Sequence, residues 1–224
     1  MTIRLQGKRV VVTQAGEFMG PAICELFSAE GAHVIADQGY MQEPGAAKDL
    51  ITNSGEIDIL VANLMSRNRR HPVQSIADDE WQEMFDVMVH PLHRLVRAVL
   101  PQMIVRRSGK IIVVGSANAI RGTTVRSAYS AARGAQLAYV RAVGIEVARL
   151  NVNINAIAQN FVSNPTSYTA EILASAEFTE RLKDVPVGRP AHSWESAALA
   201  LYLSTADSNF VHGQIFPFSG GWIT

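Results

Sequence analysis

Ser116, Tyr129 and Arg133 are three residues whose types and spacing could move a proton. Tyr129 and Arg133 are four positions apart in a segment with a helical pattern, so their side chains share one helix face. A fixed cation beside a phenol lowers the tyrosine pKa from its usual value of about 10. Ser116 precedes Tyr129 by thirteen residues and ends an apolar run typical of a strand. Together they predict a proton-transfer site for an alcohol; a packed tyrosine beside a surface arginine is the alternative.

Short apolar runs that alternate with helical patterns must position these residues. Continuous β-branched runs are typical of strands buried on both faces of a parallel sheet. Their alternation with helices predicts an α/β fold, a doubly wound Rossmann-like parallel sheet with helices on both faces, as a single domain over residues 1–224. In such sheets, sites form at the carboxyl ends of the strands. The predicted strands are 10–12, 34–36, 57–62, 111–114, 152–157 and 214–216, and the predicted helices are 21–30, 79–106 (with a break or kink at Pro91), 129–150 and 193–204.

The composition excludes several classes of protein. Twenty basic and twenty acidic side chains cancel, and there is no basic stripe, so we expect neither nucleic acid nor a membrane surface as a partner. The single cysteine, Cys24, excludes an intrachain disulfide framework and a cysteine-rich metal site. His90 and His93 lack an apparent third ligand, so no metal site is expected. The N-terminal residues have no signal-peptide pattern, and we expect a cytoplasmic protein.

The catalytic residues and their spacing resemble the short-chain dehydrogenase/reductase superfamily. The resemblance covers nearly the whole chain, including the strand end at Asn63, the Ser116 and Tyr-x-x-x-basic pair, and the closing segment 218–221. Its oxidoreductases carry lysine at the position of Arg133, where the lysine also bonds the nicotinamide ribose. Arginine is bulkier, planar and always charged, so this exchange is not conservative.

The first turn departs further from the oxidoreductase pattern. Their fingerprint is Thr-Gly-x-x-x-Gly-x-Gly, whereas residues 13–20 place Gln14 and Phe18 at two of the three glycine positions. Those glycines let the backbone approach a pyrophosphate at a helix N-terminus. A phenyl ring would occupy that space, and Glu17 adds a negative charge. We therefore predict that the chain binds no dinucleotide and needs no cofactor.

The remaining pattern, Phe18 in the first turn together with the Ser116, Tyr129 and Arg133 triad, resembles the halohydrin dehalogenases. The resemblance implies cofactor-independent closure of vicinal halohydrins to epoxides with release of halide, and reverse ring opening by azide, cyanide or nitrite. It implies a halide pocket formed by Phe18, Gln159, Asn160, Phe161 and Val162, to which Gln159 would add a side-chain amide. The expected substrate cavity is lined by Thr13, Asn63, Leu64, Met65, Tyr168 and Trp222.

The segment between Asp37 and Asn63 is short. Asn63 follows Asp37 by only 26 positions, and dehydrogenases of the superfamily usually fit another strand and helix there. Residues 38–55 have room for about one helix, so we predict that this strand is absent and that the sheet has about six strands. Asp37 is then interpreted as a strand-end or cap residue rather than a ribose ligand.

The expected partners are a small halohydrin or epoxide substrate and a halide ion. In related folds two long helices pack across subunits, which here are 79–106 and 129–150, so the resemblance implies a homotetramer. Two alternatives stay open. An NAD(P)-dependent reductase with an aberrant fingerprint would bind dinucleotide, and a non-catalytic binding protein of the same fold would tolerate the loss of the Tyr129 hydroxyl.

Overall fold

The computed structural model describes residues 3–66 and 69–223. A single parallel sheet of six strands, in the order β2-β1-β3-β4-β5-β6, runs through this part of the chain. The continuous apolar runs form it because they can be buried on both faces. The strands are β1 (Arg9–Val12), β2 (His33–Ala36), β3 (Ile59–Ala62), β4 (Gly109–Ser116), β5 (Val152–Gln159) and β6 (Ile215–Phe218).

Helices follow the strands in α/β alternation. They are α1 (Gly20–Ala29), α2 (Ala46–Ser54), α3 (Asp78–Arg106), α4 (Asn118–Arg121), α5 (Ser127–Val147), α6 (Ala170–Leu173), α7 (Ala176–Leu182) and α8 (Ser193–Ser204). Short 3₁₀ turns lie at Val73–Ser75, Ala148–Leu150 and Ala206–Ser208. None of the helices in the described ranges is long and apolar enough to cross a membrane.

Two apolar layers hold the helices on the sheet. Alternate strand side chains such as Val11 and Leu60 pack under α2, α3 and α5 on one face. Their neighbours, such as Val10 and Ile59, pack under α1 and α8 on the other face. The alternation follows from the two-residue period of a strand, and it gives the predicted doubly wound fold.

The additional strand expected to be absent is absent, because between Asp37 and the start of β3 at Ile59 the chain forms only α2. The sheet therefore has the predicted six strands. Asp37 Oδ2 accepts a hydrogen bond from the Gly39 N–H at 3.1 Å, so this aspartate closes a turn at the end of β2.

Of the break or kink expected at Pro91, the break does not occur, because α3 continues through this residue without interruption. A proline inside a helix removes one backbone hydrogen bond, at a cost of about 3 kcal/mol. Pro91 is buried, and its neighbours Leu92 and Leu95 pack in the core beneath the sheet. Burial of this helix face outweighs the local preference of proline.

Candidate active site

The C-terminal end of β4 and the start of α5 bring the three predicted catalytic residues together. Ser116 is the last residue of β4, at the carboxyl edge of the sheet. Tyr129 and Arg133 lie one turn apart near the start of α5. The Arg133 Nε donates a hydrogen bond to the Tyr129 hydroxyl at 3.1 Å, as the four-residue spacing predicts.

Arg133 is held rigidly in the interior. Its side chain is 1% exposed, and Nη1 donates to the Val114 carbonyl and to Gln136 Oε1, each at 2.9 Å. Gln136 in turn donates to the Met88 carbonyl of α3 at 2.8 Å. Within the described residues the Arg133 guanidinium forms no ion pair with a carboxylate. A buried cation without an acid is stabilised by neighbouring dipoles and by negative charge on the Tyr129 oxygen.

The surroundings of Tyr129 favour its ionised form. Burial on its own raises the pKa of the phenol, but the nearby Arg133 charge, a hydrogen bond from Ser116 and a hydrogen bond from Arg133 lower it. The lowering contributions prevail, so the pKa of Tyr129 lies below its ordinary value of about 10. The backbone N–H of Asn118 donates to Ser116 Oγ at 3.2 Å and fixes this hydroxyl. Tyr129 can therefore take a proton from an alcohol that Ser116 also contacts.

A small inner cavity of about 30 Å³ opens over these groups, and ten of the residues predicted for the site line it. Space of this size holds a water molecule or a small ion. Those ten are Phe18, Met65, Ser116, Tyr129, Arg133, Gln159, Asn160, Phe161, Val162 and Tyr168.

The loop after β5 lines the inner cavity and contains hydrogen-bond donors that have no acceptor among the described residues. Phe161 adopts a left-handed backbone with φ 53°, and neither its N–H nor that of Val162 donates to any acceptor among the described residues. Asn160 Nδ2 is likewise buried without an acceptor in the described part of the chain. The Asn160 backbone N–H, by contrast, donates to the Phe218 carbonyl at 3.0 Å. Donors gathered in this way suit an anion.

The side chain of Gln159 is bonded to helix α8. Its Oε1 accepts a hydrogen bond from Ser196 Oγ of α8 at 2.7 Å, in the interior between sheet and helix. The reason is its position on β5, where alternate side chains point to opposite faces. Ile157, two residues earlier, faces the same α8 layer. The Gln159 carbonyl oxygen is therefore bonded to α8, while the residue also lines the inner cavity.

Three residues predicted for the substrate cavity have structural roles instead. Thr13 Oγ1 accepts from the Asn63 N–H at 3.0 Å, and both residues are fully buried. Asn63 Nδ2 donates to the carbonyls of Gln14 and Glu17, both at 3.0 Å, which ties the end of β3 to the first turn. Leu64 is a core residue under α3.

Trp222 lies next to the inner cavity but does not line it. Its ring centroid is 6.1 Å from that of Phe161, and the Arg121 guanidinium lies over it with Cζ 4.6 Å from the ring centroid. Trp222 thus contacts the Phe161 ring, which lines the inner cavity, and itself lines a neighbouring cavity.

Several backbone N–H groups of the first turn donate to acceptors within the protein. Gln14 and Phe18, which stand at two fingerprint glycine positions, have left-handed φ angles of 45° and 50°. The Phe18 N–H donates to Thr166 Oγ1 at 2.9 Å, and the Met19 N–H donates to Asn63 Oδ1 at 3.3 Å. The Phe18 ring is buried, with Arg133 Cζ 5.8 Å from its centroid.

The fit of a pyrophosphate to this turn is poor. The N–H groups of Glu17 and Gly20 donate to protein carbonyls, and Pro21, at the start of α1, has none. Glu17 also places a carboxylate at the rim, where it accepts from the Tyr40 hydroxyl at 2.7 Å. A helix N-terminus binds phosphate through free N–H groups, and these residues do not offer them.

Sequence reasoning missed five lining residues of the inner cavity: Ser66, Gly115, Asn118, Arg126 and Ser167. Gly115 and Asn118 flank Ser116 at the end of β4, so the strand-end rule could have found them. Arg126 and Ser167 come from loops, whose path no periodicity in the sequence indicates.

Comparison with known proteins agrees with this architecture. The profile of the family described as enoyl-(acyl carrier protein) reductase matches residues 4–223. The 3-oxoacyl-[acyl-carrier-protein] reductase FabG of Vibrio harveyi is 28% identical, with 98% of each chain covered. A solved structure described as a dehalogenation enzyme superposes with a TM-score of 0.92 at 26% identity, covering 100% of both chains. A gluconate 5-dehydrogenase from Burkholderia cenocepacia in complex with NADP and tartrate gives 0.89 at 25% identity, covering 99% of this chain and 97% of its own.

A family profile that spans almost the whole chain, together with the six-stranded doubly wound sheet, establishes the relationship. The chain is a member of the short-chain dehydrogenase/reductase superfamily.

Proposed function

We propose that the chain is a halohydrin dehalogenase that converts vicinal halohydrins to epoxides and halide without a cofactor. One observation carries the proposal. The proton-transfer group Ser116, Tyr129 and Arg133 is intact, whereas Phe18 stands in the turn that would hold a pyrophosphate, and the N–H groups of Glu17, Phe18 and Gly20 in this turn donate to protein acceptors. Chemistry on an alcohol without a hydride carrier fits this combination.

The forward step needs one proton acceptor and one halide site. Ser116 donates a hydrogen bond to the substrate hydroxyl oxygen, and the Tyr129 phenolate removes the hydroxyl proton. The oxygen then attacks the neighbouring carbon from the side opposite the halogen, so that a C–O bond forms as the C–halogen bond breaks. The halide leaves with the electron pair. Because attack is intramolecular, positioning and proton removal are the main tasks of the protein.

The halide leaves toward the loop after β5. The N–H groups of Phe161 and Val162 and the Asn160 Nδ2, for which the described residues provide no acceptor, supply donors there, and Phe18 supplies an apolar wall. A halide is a weak base that is stabilised by such donors without being protonated. In the reverse direction, protonated Tyr129 donates to an epoxide oxygen while azide, cyanide or nitrite attacks from the same pocket.

The second candidate function is an NAD(P)-dependent reductase. It is favoured by the curated relatives, several of which are 3-oxoacyl-[acyl-carrier-protein] reductases 26–28% identical to this chain. A reductase needs the dinucleotide to lie against the first turn, where Phe18 and Glu17 stand. It also needs a cation to reach the ribose, whereas Arg133 is turned inward to Val114 and Gln136.

The deciding experiment measures halide release from 1,3-dichloro-2-propanol and its bromo analogue without nucleotide. The Tyr129→Phe variant is compared with Tyr139→Phe, which removes a phenol from the same helix at a position that bonds His93. Release by wild type and Tyr139→Phe, but not by Tyr129→Phe, is the expected result. Absence of release, together with NADPH oxidation or a rise in melting temperature with NADPH, would establish the reductase instead.

The expected homotetramer, single domain and cytoplasmic location stay predictions. Light scattering of the purified protein tests the first of them directly. Exposed apolar side chains on α3 and α5, such as Val105 and Ile145, are the surfaces expected to be covered in a tetramer.

A further inference from the structure

The backbone of Phe161 is strained, and this residue belongs to the proposed halide site. Its conformation is left-handed, with φ 53°, which costs free energy because the Cβ atom comes close to a carbonyl oxygen. Phe161 and Val162 both line the inner cavity, and their N–H groups have no acceptor among the described residues. A strained residue persists only where its surroundings hold it. The groups that hold Phe161 therefore determine where these donors lie.

Backbone hydrogen bonds fix the chain on both sides of the strained residue. The Asn160 N–H donates to the Phe218 carbonyl at 3.0 Å, and the Phe161 carbonyl accepts from the Ala191 N–H at 2.9 Å. Neither bond uses the N–H group of Phe161 or Val162. The remaining attachment of Phe161 is its ring.

The Phe161 ring is buried among aromatic side chains. It is 6% exposed, and the centroids of Phe178, Tyr168 and Trp222 lie 5.5, 5.7 and 6.1 Å from its own. All three pairs are T-shaped, which is a favourable arrangement of aromatic rings. The Arg181 guanidinium lies over the ring, with Cζ 5.1 Å from the centroid. One cation and three rings therefore fix the position of the Phe161 side chain.

Arg181 is itself held in place by its helix and by the rings around it. It belongs to α7, which is capped by Ser175 through a hydrogen bond from the Phe178 N–H to Ser175 Oγ at 3.2 Å. Its Nη2 donates to the Tyr168 hydroxyl at 3.4 Å, and its Cζ lies 6.0 Å from the Tyr168 and Phe178 centroids. A planar guanidinium can stack on a ring and donate hydrogen bonds at the same time. Arg181 thus joins α7 to the loop that carries Phe161.

Arg181 lies outside the inner cavity. It does not line that cavity, but it shares a neighbouring cavity of about 300 Å³ with Phe161 and Trp222. The arginines that lower the pKa of Tyr129 are Arg133 and Arg126. An effect of Arg181 on halide binding is therefore expected to pass through the Phe161 ring.

We propose that Arg181 is a positioning residue of the halide site, which holds Phe161 in its left-handed conformation and so keeps the donors of Phe161 and Val162 in place. This inference rests on the proposed function and adds to it a residue that does not touch the substrate. Loss of Arg181 should weaken halide binding and leave proton transfer by Tyr129 unchanged.

The test measures the dissociation constant of bromide from the rise in melting temperature with sodium bromide at constant ionic strength, which needs no turnover. Arg181→Met keeps a long side chain without the guanidinium and should raise this constant about fivefold, the size expected for a cation over aromatic rings. Arg181→Lys keeps the charge and should raise it less. Arg69→Met is the matched control and should leave it unchanged, since Arg69 pairs with Glu83 at 2.9 Å and lines neither cavity.

A double-mutant cycle with Phe161→Leu tests whether the effect passes through the ring. In Phe161→Leu, which has no aromatic face, Arg181→Met should change the bromide constant by no more than about twofold. An equal change in both backgrounds would show that Arg181 acts independently of Phe161 and would overturn the proposal. Arg181→Gln takes the place of Arg181→Met in the cycle if the latter does not fold.

The pH dependence of halide release gives a second readout. Its midpoint reports the ionisation of Tyr129 and should be the same in wild type and Arg181→Met. A shifted midpoint would mean that Arg181 acts on the proton-transfer group and would also overturn the positioning role.

The outcomes separate this inference from the proposed function. Halide release by wild type, together with an unchanged bromide constant in Arg181→Met, would overturn the positioning role and leave dehalogenation intact. Weaker bromide binding in Arg181→Met, without halide release from halohydrins by wild type, would support the positioning role and overturn dehalogenation. Undetectable binding of bromide to wild type would overturn the halide site and the positioning role with it.

Discussion

Arg133 sets the pH at which Tyr129 becomes a phenolate, and the Arg133→Gln variant isolates this effect. The Arg133 Nε lies 3.1 Å from the Tyr129 hydroxyl, and the arginine is 1% exposed. Two unit charges about 4 Å apart attract each other by about 4 kcal/mol at an effective dielectric constant of about 20. Since one pKa unit corresponds to about 1.4 kcal/mol, loss of the charge should raise the pKa of Tyr129 by about 3 pH units. Halide release near neutral pH, which needs the phenolate, should fall by about a thousandfold.

The assay is the pH dependence of halide release, with the phenolate absorbance of Tyr129 titrated in parallel against Tyr129→Phe. Activity rises as pH increases through the pKa of Tyr129, because the ionised phenol is the base. In Arg133→Gln this rise should move to higher pH by about 3 units. Arg133→Lys keeps the charge and should shift it less, although the bonds to Val114 and Gln136 are lost. A folded Arg133→Gln protein whose activity rises at the wild-type pH would refute the reasoning.

Three further predictions concern stability. In urea unfolding, Phe18→Gly should be about 1 kcal/mol more stable than Phe18→Ala, because both variants lose the ring but only glycine adopts φ 50° without strain. Equal urea midpoints of the two variants would mean that the turn is unstrained. Gln136→Leu leaves a buried Arg133 N–H without its acceptor and should lower the free energy of unfolding by about 2 kcal/mol, and an unchanged value would contradict this. The pKa of Glu195 is about 2, chiefly because Arg189 donates a hydrogen bond to it. The ionised Glu195 therefore stabilises the folded protein above its unfolded pKa of about 4.3, and this stabilisation is lost as pH falls through the folded pKa. The unfolding midpoints of wild type and Glu195→Gln should differ near pH 7 and converge near pH 2. A difference that stays constant with pH would be inconsistent with this.

The sequence was sufficient for the sheet and for the catalytic group. The strands are continuous apolar runs, and the spacing of Tyr129 and Arg133 places both on one helix face. The path of α3 through Pro91 was not predicted, because a local rule about proline says nothing of the core against which the helix packs. The shortened segment after Asp37 was predictable from length alone.

The cavity was predictable only in part. Asn63 follows the end of β3, which is the position expected for a residue that lines the cavity. Its side-chain amide instead donates hydrogen bonds to the first turn, and the sequence alone does not indicate these bonds. The direction of Gln159 could have been inferred from the alternation along β5. Arg181, which comes from the loop and short helices after β5, gave no signal, because the contacts with Phe161 and Tyr168 join residues that are not related by any period.

The left-handed conformations of Gln14 and Phe18 have a consequence for how such a loop changes over generations. A conformation that glycine adopts easily is adopted here by Gln14 and Phe18. Each non-glycine residue in this conformation costs about 1 kcal/mol or more, which the surrounding packing tolerates. The loop geometry is therefore inherited from the fold and not from the ligand. Under the proposed function, an exchange at position 18 would exclude a pyrophosphate and provide a wall for a halide pocket, without any change in the strands or helices.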